Sequence, residues 1–295
     1  MSRLRRLLPG RKLLSLCEAL GWSVWVLVAQ SLVLAFFLGV LFLTVFGTEI
    51  PSQEFLETVI LESDLDRSFL LLGVTSLGSL FVIVPSVRWW LGREFRGIIG
   101  AELPRRDQVI FALATVVPIA IISDLVYEVA QTQWLSWSGE LHQPLAFLSL
   151  SELHQRFQDV PYPILIGAMA LGPAIAEELV FRGVIGRRLI AEWGTIPGVL
   201  LTSLFFAAAH VSPAHALGTI PIGILLHWLY LKTKSIWIPI IVHFCNNLLA
   251  ISMVRFHLAE DVHIPLPAVA ALLAYLIVIL TLVHSRERQL ARISV

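Results

Sequence analysis

The sequence predicts an all-α, polytopic membrane helix bundle of about eight transmembrane helices, with both termini on the cytoplasmic side. Three observations predict it. The chain of 295 residues is 57% hydrophobic and 14% charged, whereas soluble domains sit at roughly 45–50% apolar and about 25% charged. The mean hydropathy is +0.81, and a long chain with so little polar cover would not stay in solution. Second, the apolar residues gather into runs close to the ~20 residues that a spanning helix needs. Third, the basic residues segregate to alternate connections, as the positive-inside pattern requires.

The elements follow in order. Arg3, Arg5, Arg6, Arg11 and Lys12 precede a first run, 24–46. That run is too long for the apolar region of a signal peptide, and no A-x-A site follows it. It reads as a retained first helix behind a cytoplasmic segment 1–23. Further spans are expected at 68–87, 108–127, 161–186, 196–212, 215–231, 236–255 and 265–284. Pro51, Pro85, Pro104, Pro144, Pro213 and Pro265 punctuate the connections. No internal repeat and no extensive soluble stretch is visible, so 1–295 reads as one integral membrane domain. Threading eight helices from a cytoplasmic N-terminus puts seventeen of the 21 basic residues inside. Arg67, Arg156 and Arg255 fall outside and Arg182 within a span. The acidic 48–66 connection then lies outside, as a solvated face.

A formal net charge of zero gives no global field that would attract nucleic acid. Cys17 and Cys245 cannot build a disulfide framework, and both read as free thiols.

Ionisable groups at membrane depth are costly and face an interior or a water-filled cavity. Asp124 sits near a helix end, where interfacial solvation explains it. His227 reads as a hydrogen-bonding partner for a neighbouring helix, and His215 lies close to a connection. Three clusters remain. In A-E-E-L-V-F-R-G, Glu178 and Arg182 stand at i, i+4 and share a face, so they can pair. Glu177 lies about 100° round the helix and has no such local partner; an unpaired buried carboxylate is the kind of group that serves as a general base. In F-A-A-A-H, three alanines before His210 allow close helix approach. In H-F-C-N-N, His243 and Asn247 point to one side. Taken singly, each has a plain packing explanation. Together, a glutamate, two histidines and an asparagine are the parts of a hydrolytic site: a base for water, an imidazole to orient it or protonate a leaving amine, and an amide for an oxyanion. The same set also suits a zinc ion.

At these residues the sequence resembles the CAAX-protease and bacteriocin-processing family (CPBP, also called Abi). These are intramembrane endopeptidases related to the Ras-converting CAAX protease. The family pattern E-E-x-x-x-R, F-x-x-x-H, H-x-x-x-N appears here as EELVFR, FAAAH and HFCNN in matching order, with W-L-Y-L-K-T-K-S-I-W-I-P-I-I-V-H leading to His243. The match covers about 161–255. The resemblance implies that Glu177 activates the attacking water with help from His210. His243 and Asn247 would position the scissile group or stabilise the oxyanion, and Glu178, Arg182 and Phe206 would support the site. The family has been described both as metalloproteases and as metal-free glutamate proteases. In the first case Glu177, His210 and His243 are the ligands and zinc the cofactor; in the second there is none. No H-E-x-x-H is present, nor the rhomboid G-x-S-G or the presenilin-like G-x-G-D. The expected partners are membrane lipids and a membrane-associated or peptide substrate, not nucleic acid, and the expected location is the plasma (inner) membrane of a bacterium.

One spacing sits awkwardly with this reading. At 1.5 Å per residue, Glu177 lies about 15 Å from Arg187 and His243 about 13 Å from Lys234, both near mid-depth, while His210 lies about 24 Å from Gly194. Tilt, or a fifth helix that starts below the membrane surface, would bring it level; otherwise the 211–221 turn, with Pro213, Gly218 and Pro221, is sunk in the bundle. Two other classes compete: a non-catalytic scaffold or immunity factor of the same fold, and a small-solute transporter. The transporter reading expects buried charges spread over several helices, and the first three helices carry almost none.

Overall fold

A computed structural model describes residues 11–46, 65–138, 160–210, 212–258 and 264–293. Arg3, Arg5, Arg6, Arg156 and nearly all of the acidic 48–66 connection lie outside those residues. Among the described residues every regular element is a helix, as an interior without water requires, because helices satisfy their own backbone groups.

Eight long helices follow in the expected order. They are α1 (Arg11–Phe46), α2 (Leu65–Leu91), the run Arg106–Trp137, the run Tyr162–Trp193, then Thr195–Ala208, Pro213–Thr233, Trp237–Arg255 and Leu266–Ile293. Between α2 and the third of these stand a 3-10 turn, Gly92–Glu94, and a short helix, α3 (Phe95–Ile99). The Arg106–Trp137 run breaks at Ala114 and Thr115 into α4 (Arg106–Leu113) and α5 (Val116–Ser138). We label Tyr162–Trp193 as α6, Thr195–Ala208 as α7, Pro213–Thr233 as α8, Trp237–Arg255 as α9 and Leu266–Ile293 as α10. Six of the helical runs are long and apolar enough to cross a membrane. The protein is therefore an integral, multi-pass membrane protein.

Two ends differ from expectation. Helix α1 begins at Arg11 rather than near residue 24. Its first turns are tied to the end of α6, where Arg11 bonds Glu192 and Glu18 accepts from Arg188 at 2.9 Å. And α7 has only 14 residues, about 21 Å of helix, shorter than the ~30 Å hydrocarbon core. Helix α7 ends at Ala208, short of the span expected to 212, and His210 stands in the turn that follows it.

The segments assigned to one side by their basic residues are bound to one another. Trp237 Nε1 donates to the Ala101 carbonyl at 2.9 Å, Ser235 Oγ to that of Glu102 at 3.1 Å and Gln108 Nε2 to that of Thr233 at 3.4 Å. Arg105 pairs with Glu287, and Arg187 donates to the Ile98 carbonyl. Gly100 closes α3 at φ 66°, where a Cβ would lie 2.0 Å from the Lys234 carbonyl oxygen. Only glycine fits a left-handed position pressed that closely on backbone.

Helix α6 carries the site and runs through the buried core. It is not uniformly α-helical: Ile166–Leu171 and Phe181–Gly186 are π turns on either side of the regular stretch Gly172–Val180. A π turn inserts a residue into the ladder, and such turns recur at functional sites. Here they set the rotation of the stretch that holds Glu177 and Glu178.

Candidate active site

Glu178 and Arg182 are both fully buried, and Arg182 Nη1 donates to Glu178 Oε1 at 2.8 Å. The i, i+4 spacing dictates this pair, and it spans the junction between the regular α stretch and the second π turn. Arg182 Nη2 reaches across to the Gly223 carbonyl of α8 at 3.1 Å. Its guanidinium lies over the Phe206 ring, 4.7 Å from the centroid, a favourable placement for a desolvated cation.

The same Oε1 atom of Glu178 also accepts from His243 Nδ1 at 2.8 Å. One carboxylate thus joins a guanidinium on its own helix to an imidazole on α9. A carboxylate on Nδ1 fixes the tautomer and leaves Nε2 as the working nitrogen. Sequence spacing left Glu177 as the carboxylate in need of a histidine. The structure gives His243 to Glu178 instead. Glu177 is half-buried and, among the described residues, makes no hydrogen bond or ion pair.

Phe206 is the hub of the three motifs. Its ring meets Phe181 at 5.2 Å, His210 at 5.1 Å and His243 at 5.7 Å, all edge to face. Both histidines therefore flank one phenyl ring, and the turn after α7 stands beside the His243 level of α9. His210 Nδ1 lies 3.0 Å from the Phe206 carbonyl. A carbonyl only accepts, so Nδ1 carries the proton and Nε2 is left as an acceptor. His215, exposed in the first turn of α8, lies 5.0 Å from His210 between ring centroids. Asn247, one turn beyond His243, donates to the Met169 carbonyl at 3.0 Å. That carbonyl belongs to the first π turn, so both π turns of α6 touch the site.

Among the described residues His227 does not hydrogen-bond a neighbouring helix as its position suggested: both ring nitrogens are buried there without a partner. Its ring lies against Gly186, where a Cβ would sit 2.1 Å from His227 Cε1. Arg182 over Gly223 and Gly186 over His227 are two successive contacts of α6 on α8. Gly186, four residues after Arg182 and too small to obstruct His227, was the overlooked signal for this approach. Asp124 is exposed, but it does not stand near a helix end as expected, because the helix runs on to Ser138. Cys17 and Cys245 are free thiols.

Among the described residues no three His, Cys, Asp or Glu side chains stand where one ion could bind them together. The Nδ1 bonds of His210 and His243 leave both Nε2 atoms open, the arrangement that metal-ligating histidines also show.

Residues 159–249 match the family described as "Type II CAAX prenyl endopeptidase Rce1-like". Over 96 residues the chain is 32% identical to the Bacillus subtilis (strain 168) protein named "Putative membrane peptidase YdiL". That likeness covers 32% of this chain and 38% of the relative, so the chain spans well under half the length of the curated protein it matches. No solved structure matches the chain significantly. The matched segment contains all three ordered motifs, and over these residues the chain is similar to that family.

Proposed function

We propose that the protein is an intramembrane endopeptidase that hydrolyses a peptide bond with a glutamate-activated water, acting on a CAAX-type or other membrane-associated peptide substrate in the plasma membrane of a bacterium. The observation that carries this reading is the His243–Glu178–Arg182 relay packed around Phe206. It prepares an imidazole and leaves the adjacent Glu177 without any structural partner. Glu177 takes a proton from water, with the Nε2 lone pair of His210 holding that water. The hydroxide adds to the scissile carbonyl carbon, and the carbonyl oxygen becomes an oxyanion. The imidazolium form of His243, through Nε2–H, and the remaining N–H of Asn247 receive that oxyanion. The proton on Glu177 passes to the leaving nitrogen as the C–N bond breaks, which returns the carboxylate. No metal is needed to balance these steps, and none is invoked.

The test is cleavage of an internally quenched, prenylated CAAX peptide by the full chain in proteoliposomes, compared with Glu177→Ala and His243→Ala. Each change is expected to lower turnover about 10²–10⁴-fold, the range for losing a general acid–base group. Turnover at the wild-type rate in both variants would sink the assignment.

A further inference from the structure

A second concave feature lies at the basic end of the bundle, away from the proposed site. It is a cavity of about 400 Å³ enclosed by α1, the end of α2 and the second half of α6. Trp22 and Trp90 stand on its wall in edge-to-face contact, 5.8 Å between ring centres. Arg187 and Arg188 form its polar side, and Ala19 and Val184 are among the apolar residues of the remainder.

The charges here are not balanced. Glu18, also on the wall, accepts from Arg188 at 2.9 Å. Arg188 also bonds Glu192 at 2.8 Å, and Glu192 is shared with Arg11. Two carboxylates thus meet two guanidiniums and cancel. Arg187 stands outside that network. It is exposed, and it donates to the neutral Ile98 carbonyl. A guanidinium carries more donors than one acceptor uses, and its fork matches a phosphate better than any other side chain does. Tryptophan pairs mark headgroup depth in membrane proteins. Basic pockets between helices on the cytoplasmic side are where anionic headgroups bind.

We propose that this pocket holds the phosphate-bearing headgroup of an anionic phospholipid, with Arg187 on the phosphate, Trp22 and Trp90 at the glycerol level, and the acyl chains running out into the bilayer. A zwitterionic headgroup fits less well. Its ammonium would face Arg187 and Arg188, and the one wall carboxylate that could receive it is already paired.

The full chain in dodecyl maltoside micelles is titrated with brominated phosphatidylglycerol or brominated phosphatidylcholine. The emission of Trp22 and Trp90 is obtained by difference from a Trp22→Phe/Trp90→Phe variant. Phosphatidylglycerol is expected to quench this pair at lower mole fraction than phosphatidylcholine. Arg187→Gln is expected to weaken that preference about fivefold, the worth of one basic side chain at an anionic surface. Arg292→Gln, on α10, is expected to leave it unchanged. Equal quenching by the two lipids, or equal loss in the Arg187 and Arg292 variants, would overturn the proposal in favour of unspecific surface attraction. Displacement of the lipid by millimolar inorganic phosphate would overturn it too, because the pocket would then recognise the free anion.

Discussion

Replacing the members of the Glu178–Arg182 pair, singly and together, tests how the site is held. Arg182→Met removes the guanidinium that meets Glu178 at 2.8 Å, the Gly223 carbonyl at 3.1 Å and the Phe206 ring at 4.7 Å. Glu178 keeps only His243. Both side chains of the pair are at most 1% exposed, so water does not replace the lost partner. Breaking a buried ion pair from one side costs roughly 3–5 kcal/mol, and the lost cation–π contact adds about 0.5–2 kcal/mol. Glu178→Gln keeps the shape but strands the arginine, at a similar cost of roughly 3–5 kcal/mol. The double variant strands neither charge. Replacing a whole buried pair with neutral groups is often close to neutral, so its loss is expected to be smaller than that of either single change, with a coupling of at least about 2 kcal/mol. The assay is reversible unfolding of the full chain in mixed dodecyl maltoside–dodecyl sulfate micelles, followed by circular dichroism. Peptide cleavage is read in parallel. Stability returns in the double variant but activity does not, because the His243 imidazole has lost its carboxylate. Replacing such an orienting carboxylate costs up to about 10⁴ in turnover. Additive destabilisation, with the double variant as unstable as both changes combined, would refute the account of a mutually compensated pair.

Three further outcomes are expected. Glu177→Gln abolishes cleavage of the prenylated peptide yet leaves the unfolding midpoint unchanged or raised, because Glu177 has no structural partner to lose; a loss comparable with that of Glu178→Gln would show the two carboxylates to be equivalent. Gly186→Ala drives a Cβ to 2.1 Å from the His227 ring and costs about 1–3 kcal/mol by overpacking. His227→Ala in the same chain relieves that clash, so the two changes combine sub-additively in the same unfolding assay. Gly100→Ala costs at least about 1–2 kcal/mol, because its Cβ would strike the Lys234 backbone rather than a side chain that can rotate away; an unchanged midpoint would contradict the placement of α3 against the α8–α9 connection.

The sequence by itself determined the solvent and the number and order of the long helices. Each rests on an effect that is local or additive. Apolar runs partition into lipid one by one, a carboxylate and a guanidinium four residues apart share a face, and His243 and Asn247 do the same one turn apart. The three motifs were legible because charged and polar groups have few places to hide in so apolar a chain. Tertiary structure decided the pairings between elements. Glu177 and Glu178 point about 100° apart, and which one meets His243 depends on the rotation of α6 against α9. Two π turns set that rotation, and residue periodicity does not announce them. The meeting of His210 with His243 was likewise decided by the Phe206 ring that both histidines share. The closeness of α6 to α8 at Gly186 and His227, and the uncompensated charge of Arg187 beside Trp22 and Trp90, come from residues far apart in the chain. Only folding brings them within contact range, because packing between helices depends on shape and orientation rather than on spacing along one of them.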